Sequence, residues 1–187
     1  MTDIYVDRID GGAKGQTVCS EARRILDRLF RLDLRNVQNE CNRVADLYRE
    51  RWSAKNPNDF MVEYNLEHTK YAGGIGELDP PFLLTAPLTV HIHVYDCLYP
   101  SNRETPAITV VNSADPKNPN LMIFLPTLQV TNSTITLTHF KASFKSVIIH
   151  EFLHLCGDIE SPTSPIVDGV IRHTKVDTEA IEPLIGD

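Results

Sequence analysis

The segment Val147-Ile-Ile-His150-Glu151-Phe-Leu-His154-Leu-Cys156-Gly157 constrains this chain more than any other. At about 100° per residue, Phe144, Val147, Ile148, Phe152 and Leu155 gather on one broad helix face, and Ile149, Leu153 and Cys156 cover most of the other side. A helix apolar nearly all round belongs in a protein interior. Yet this one carries two imidazoles and a carboxylate, which are costly to bury without partners. Residues four apart on a helix stand nearly one above the other, so His150 and His154 can both grip one metal ion. Glu151 can then reach water at that ion, where a general base is needed. The pattern points to zinc-dependent hydrolysis, with a peptide bond as the expected target. A plainer alternative, a core helix whose histidines hydrogen-bond to neighbours, fits the spacing less well. Thr138 reads as the N-cap and Gly157 as a left-handed stop, which sets the helix near 139–156, with Lys141 and Lys145 keeping its first half partly in water.

The segment resembles the zincin metallopeptidases, whose active-site helix carries His-Glu-x-x-His between apolar residues. His150-Glu151-x-x-His154-x-x-Gly157 is also similar to the opening of the metzincin motif, in which the glycine turns the chain toward a third ligand three residues on. Glu160 stands there, where that clan usually has histidine and sometimes aspartate, and no methionine follows His154 to form the clan's Met-turn. The resemblance implies an α+β chain with a compact, zincin-like fold, and the length, with no internal repeat, low-complexity run or linker, reads as a single domain over 1–187. N-terminal helices, a small mixed sheet and the metal-bearing helix would follow in that order.

A catalytic zinc usually has three protein ligands and one open position. With one ion on His150 and His154, His173 is the first candidate for the third, because imidazole suits zinc and no other histidine follows the motif. The stretch 158–172, with Ser-Pro-Thr-Ser-Pro and Asp168-Gly169, reads as a loop that could deliver it. Glu160, at the metzincin spacing, is second and Asp158 third. Glu179 is a fourth, since gluzincins take a glutamate from a later helix and residues 177–182 could open one. Asp168 resembles the late aspartate of aspzincins, but that clan's glycine-and-tyrosine pattern is missing around it. The plain alternative for each acid is solvated loop charge, and for His173 a surface or capping histidine. His139 falls on the His150 face but roughly 16 Å away along a helix. Cys156 points well away from the two histidines. His91 and His93 share one side of a strand and read as an exposed face, a cleft wall or a second metal site. His68 sits in a polar stretch with no signal.

In the mechanism this implies, Glu151 takes a proton from the zinc-activated water as it attacks the scissile carbonyl, then passes it to the leaving amine. Tyr95, His139 and Arg172 are the candidates to share the charge developing on the carbonyl oxygen. Two other readings stand beside it. One is a catalytically inactive zincin-like module that binds metal or a partner, and the other a zinc amidohydrolase acting on a non-peptide amide.

The formal charge of −7 is spread along the chain, which argues against a nucleic-acid partner, and Arg23, Arg24, Arg28, Arg31 and Arg35 are interleaved with Glu21, Asp27 and Asp33 as on a solvated helix. The expected partner is a protein or peptide substrate. No apolar run is long enough to span a bilayer, and the N-terminus lacks the basic-then-apolar order of a signal peptide. The expectation is a cytoplasmic protein, or one exported without such a peptide. Cys19, Cys41, Cys97 and Cys156 lie far apart and read as free thiols.

After a turn at Gly11–Gly15, residues 18–35 have helical spacing through Val18, Ala22, Ile25, Leu26, Leu29, Phe30 and Leu32. A second helix is expected over Val37–Trp52 with Val44, Ala45, Leu47 and Tyr48 inward. Thr89–Tyr95 alternates as a half-buried strand, and Ala107–Val111 and Leu121–Leu125 are further strands around a turn at Asp115–Asn120. In zincins an edge strand lies above the metal and pairs with extended substrate. Leu121–Leu125 is the candidate for that edge, although five consecutive apolar residues equally suit an interior strand.

Overall fold

Ile4, Val6 and Ile9 turn inward from strand β1 (Asp3–Ile9), at one edge of a four-stranded sheet. This computed structural model describes residues 1–53, 87–112, 114–140, 142–156 and 178–186. β1 runs parallel to β2 (Thr89–Tyr95), which runs parallel to β4 (Asp115–Phe124), and β3 (Ala107–Asn112) closes the sheet antiparallel to β4. The order is β1-β2-β4-β3. A separate hairpin joins β5 (Leu128–Thr131) to β6 (Thr134–Leu137). Its turn residues Asn132 and Ser133 both have positive φ, 48° and 67°, the backbone that matches the twist of a two-residue hairpin. Around these strands lie α1 (Gly12–Leu29), α2 (Leu34–Ser53), α3 (Phe144–Leu155) and α4 (residues 178–185). The chain is α+β with a mixed sheet, as its pattern implied.

One face of the sheet makes the core. Val90, Ile92 and Val94 are fully buried, with Ile92 and Val94 in register with Leu121 and Ile123 on β4. α1 covers them with Val18, Ala22, Ile25, Leu26 and Leu29, and α3 packs on α1 and beneath β3. Phe30 meets Phe152 edge to face at 5.0 Å between ring centres, the arrangement that aromatic quadrupoles favour. Among the described residues no helix is long and apolar enough to cross a membrane.

Several expectations need correcting. β1 was not anticipated: its alternation is interrupted at Asp7, an additional residue between the pairs Val6↔Ile92 and Arg8↔His93. The glycine turn spans Gly11 and Gly12, at φ 81° and 58°, a side chain at Gly11 would collide with Leu125, and residues 12–15 already belong to α1. α1 ends at Leu29 rather than 35, because Asp33 opens α2 by accepting the Arg35 N–H on its side chain at 2.9 Å. On α2, Val37, Cys41 and Val44 are buried, whereas Leu47 is exposed. The expected turn at Asp115–Asn120 is the first half of β4. Pro116 and Pro119 have no N–H to donate, and the pairing skips from Val110↔Asn120 to Asn112↔Asp115 around them. Leu121–Phe124 is therefore interior strand, between β2 and β3, and Leu125 begins a short 3-10 turn. β3, not this strand, is the edge beside α3.

Candidate metal centre

α3 starts later than its sequence suggested. Ser143, not Thr138, is the N-cap, accepting the Ser146 N–H at 3.0 Å. Thr138 instead donates its hydroxyl and its backbone N–H to the Thr127 carbonyl, at 3.1 and 3.0 Å, which ties the end of β6 to the 3-10 turn. From Phe144 onward the helix is buried nearly all round: Ile148, Ile149, Phe152 and Leu155 expose nothing, and His150 and Glu151 expose only 6 % and 5 %. His150 and Glu151 therefore sit in the interior, as the pattern required, while His154 is half-buried.

His150 and His154 face each other across one helical turn. Their Nε2 atoms are 2.9 Å apart and the ring planes stand at 88°. Without an ion, that approach needs one nitrogen protonated and the other not, a single N–H···N bond. Two nitrogens on one tetrahedral zinc, with bonds of about 2.0–2.1 Å, lie about 3.3 Å apart. Opening the observed separation to that value needs a shift of roughly 0.4 Å, within what small rotations of two imidazoles provide. The pair fits a shared ion.

Glu151 is held from the sheet. Thr109, on β3, donates its hydroxyl to Oε2 of Glu151 at 2.6 Å and lies 3.4 Å from the Glu151 carbonyl oxygen. Ala107 and Thr109 pair with Ile123 and Leu121, whose side chains enter the core, so this side of β3 looks onto α3. Thr109 was missed in the sequence. Its place as the polar residue on the inward side of an apolar strand was visible, but nothing local connects it to a carboxylate 42 residues away.

His173, Glu160 and Asp158, with Gly157, Asp168, Arg172 and His68, lie outside the described residues. Among the described residues no group of three or more His, Cys, Asp or Glu side chains is arranged to hold a metal ion. Glu179 is exposed on α4, a helix that docks by Ala180 and Ile181 and by Lys145, which bonds the Gly186 carbonyl at 3.0 Å and lies 3.5 Å from Glu182. His139 precedes α3, 3.9 Å from Glu104, so its expected helical placement does not hold. Tyr95 is on the sheet face away from the core, stacked on His93 and Phe124 beneath the Arg8 guanidinium. Cys156 is buried.

His91 and His93 occupy that outer face too. His91 lies 3.0 Å from Asp7 and 3.4 Å from the Asn118 amide oxygen, and His93 lies 2.9 Å from the Asn120 amide oxygen. Asp7, the additional residue in β1, lies 3.7 Å from His93 as well.

The chain has no match among models of known protein families, curated proteins or solved structures.

Proposed function

We propose that this chain is a zinc-dependent hydrolase of the zincin kind, a metallopeptidase acting on peptide bonds. The observation that carries this reading is the pair of Nε2 atoms 2.9 Å apart between a buried His150 and a half-buried His154, with the buried Glu151 next to His150 on the same helix. His150 and His154 would hold the ion, together with a third ligand for which His173 is the first candidate. Zinc bound there supplies Lewis acidity and brings the pKa of a water toward neutrality.

Glu151 then serves as general base, accepting the proton of the attacking water on its carboxylate and returning it to the departing amine nitrogen. Burial of His150 and Glu151 keeps most bulk water from them, which strengthens the electrostatic contacts they make. A peptide substrate is favoured by the outer side of β3, which has no strand on it among the described residues. An extended peptide could pair with those backbone groups, lying over the helix that carries the histidines.

The test is turnover of zinc-loaded protein on a peptide library, with metal analysis in parallel. Glu151→Gln should keep zinc and lose about 10²–10⁴-fold in turnover. Full activity in that variant would remove Glu151 from its role. Zinc bound at one equivalent with no cleavage of any peptide would instead favour a metal-binding module without catalysis.

A further inference from the structure

We propose that Thr109 is the positioning residue for the Glu151 carboxylate, coupling the general base on α3 to the edge strand β3. The inference rests on the reading of Glu151 as that base. A carboxylate on a residue exposed by only 5 % is costly to bury without hydrogen-bond donors, and the Thr109 hydroxyl is one of them. The Thr109 hydroxyl has a single proton and two oxygens of Glu151 within reach, at 2.6 and 3.4 Å. The shorter contact has the length of a charge-assisted O–H···O⁻ bond, so the hydroxyl donates its hydrogen to Oε2.

Position follows from stiffness. Thr109 is β-branched, which restricts its χ1 rotamers, and its backbone is paired across β3 and β4 at Thr109↔Leu121. The hydroxyl is thus fixed by the sheet and in turn fixes the orientation of the carboxylate on the helix. An extended chain adding to the outer side of β3 would brace the strand that aims the base. Substrate docking and base alignment are then one mechanical unit. A misplacement of a catalytic group by about 1 Å can cost on the order of 10²-fold in rate.

The experiment compares Thr109→Val, which keeps the shape and removes the hydroxyl, with Thr109→Ser, which keeps the hydroxyl, in the zinc-loaded full chain. Thr109→Val should lower kcat about 10- to 100-fold with KM and zinc content unchanged, and Thr109→Ser should restore kcat to within about threefold of wild type. A kcat for Thr109→Val within threefold of wild type, while Glu151→Gln is inactive, overturns the positioning role and leaves the function intact. A wild type that turns over no peptide overturns both.

A second measurement needs no activity. A double-mutant cycle on the metal-free protein, using Thr109→Val and Glu151→Ala in denaturant unfolding, should show folding constants non-additive by about five- to tenfold. Additive effects would show that the two side chains do not interact, and would overturn the proposal by themselves.

Discussion

His150 and His154 are four apart on a helix, whereas His91 and His93 are two apart on a strand, and the same residue type ends in two different environments. The helical pair, His150 buried and His154 half-buried, has its Nε2 atoms 2.9 Å apart on a helix that also carries the buried Glu151. The strand pair lies half-buried on the outer face of the sheet, its ring nitrogens answered by Asp7, Asn118 and Asn120. Helical periodicity brings the two Nε2 atoms to one point, while a strand sets its side chains in a row and gives each a separate neighbour. Spacing alone does not make a site. What distinguishes the helical pair is convergence together with burial in an apolar helix.

The comparison is most strongly tested by exchanging histidines in the two places. His150→Ala or His154→Ala should abolish stoichiometric zinc and lower peptide turnover by about four orders of magnitude. His91→Gln and His93→Gln should leave both within about twofold. Zinc should also stabilise the wild type, by about 2.7 kcal/mol at a hundredfold excess over Kd, and should do nothing for His150→Ala. Thermal melts with and without zinc read this directly. If the His91 variant lost the zinc response instead, the roles of the two pairs would be reversed.

Packing gives the next largest contrast. Phe152, fully buried and set edge to face against Phe30, should cost about 3–5 kcal/mol on truncation to alanine. Tyr5, stacked on His91 but 54 % exposed, should cost less than about 1 kcal/mol. Denaturant midpoints at constant m-value would measure both. Comparable losses at the two sites would mean that the outer face is buried as deeply as the core.

The smallest effect is chemical. Burial pushes the Cys19 thiol above its ordinary pKa, opposed in part by Arg23, whereas Cys97 is exposed. A thiol-alkylating reagent at neutral pH should label Cys97 in the native protein and reach Cys19 only on unfolding. Mass spectrometry after brief labelling checks this, and early modification of Cys19 would place it outside the core described here.

Periodicity made α1 and β2 legible, because each buries one regular face, and an apolar surface nearly all round made the interior character of α3 legible: Val90, Ile92 and Val94 read the same in sequence and structure. Elements whose pattern is broken were misread. β1 is interrupted by its additional residue at Asp7, and β4 begins with two prolines that look like a turn because neither can donate to a ladder. The start of α3 was ambiguous for another reason. Thr138 and Ser143 are both caps by residue type, and the Thr127 carbonyl, eleven residues upstream, takes the hydroxyl of Thr138. At the candidate site, His150, Glu151 and His154 lie within one turn and were therefore readable. Thr109 acts from a different element, and no local rule carries that contact.

Zinc-edge anomalous diffraction from zinc-soaked crystals of the full chain tests the central claim most directly. One anomalous peak should appear about 2.0–2.1 Å from Nε2 of both His150 and His154. An ion found only at His91 and His93, or none while the two Nε2 atoms remain hydrogen-bonded to each other, would contradict it.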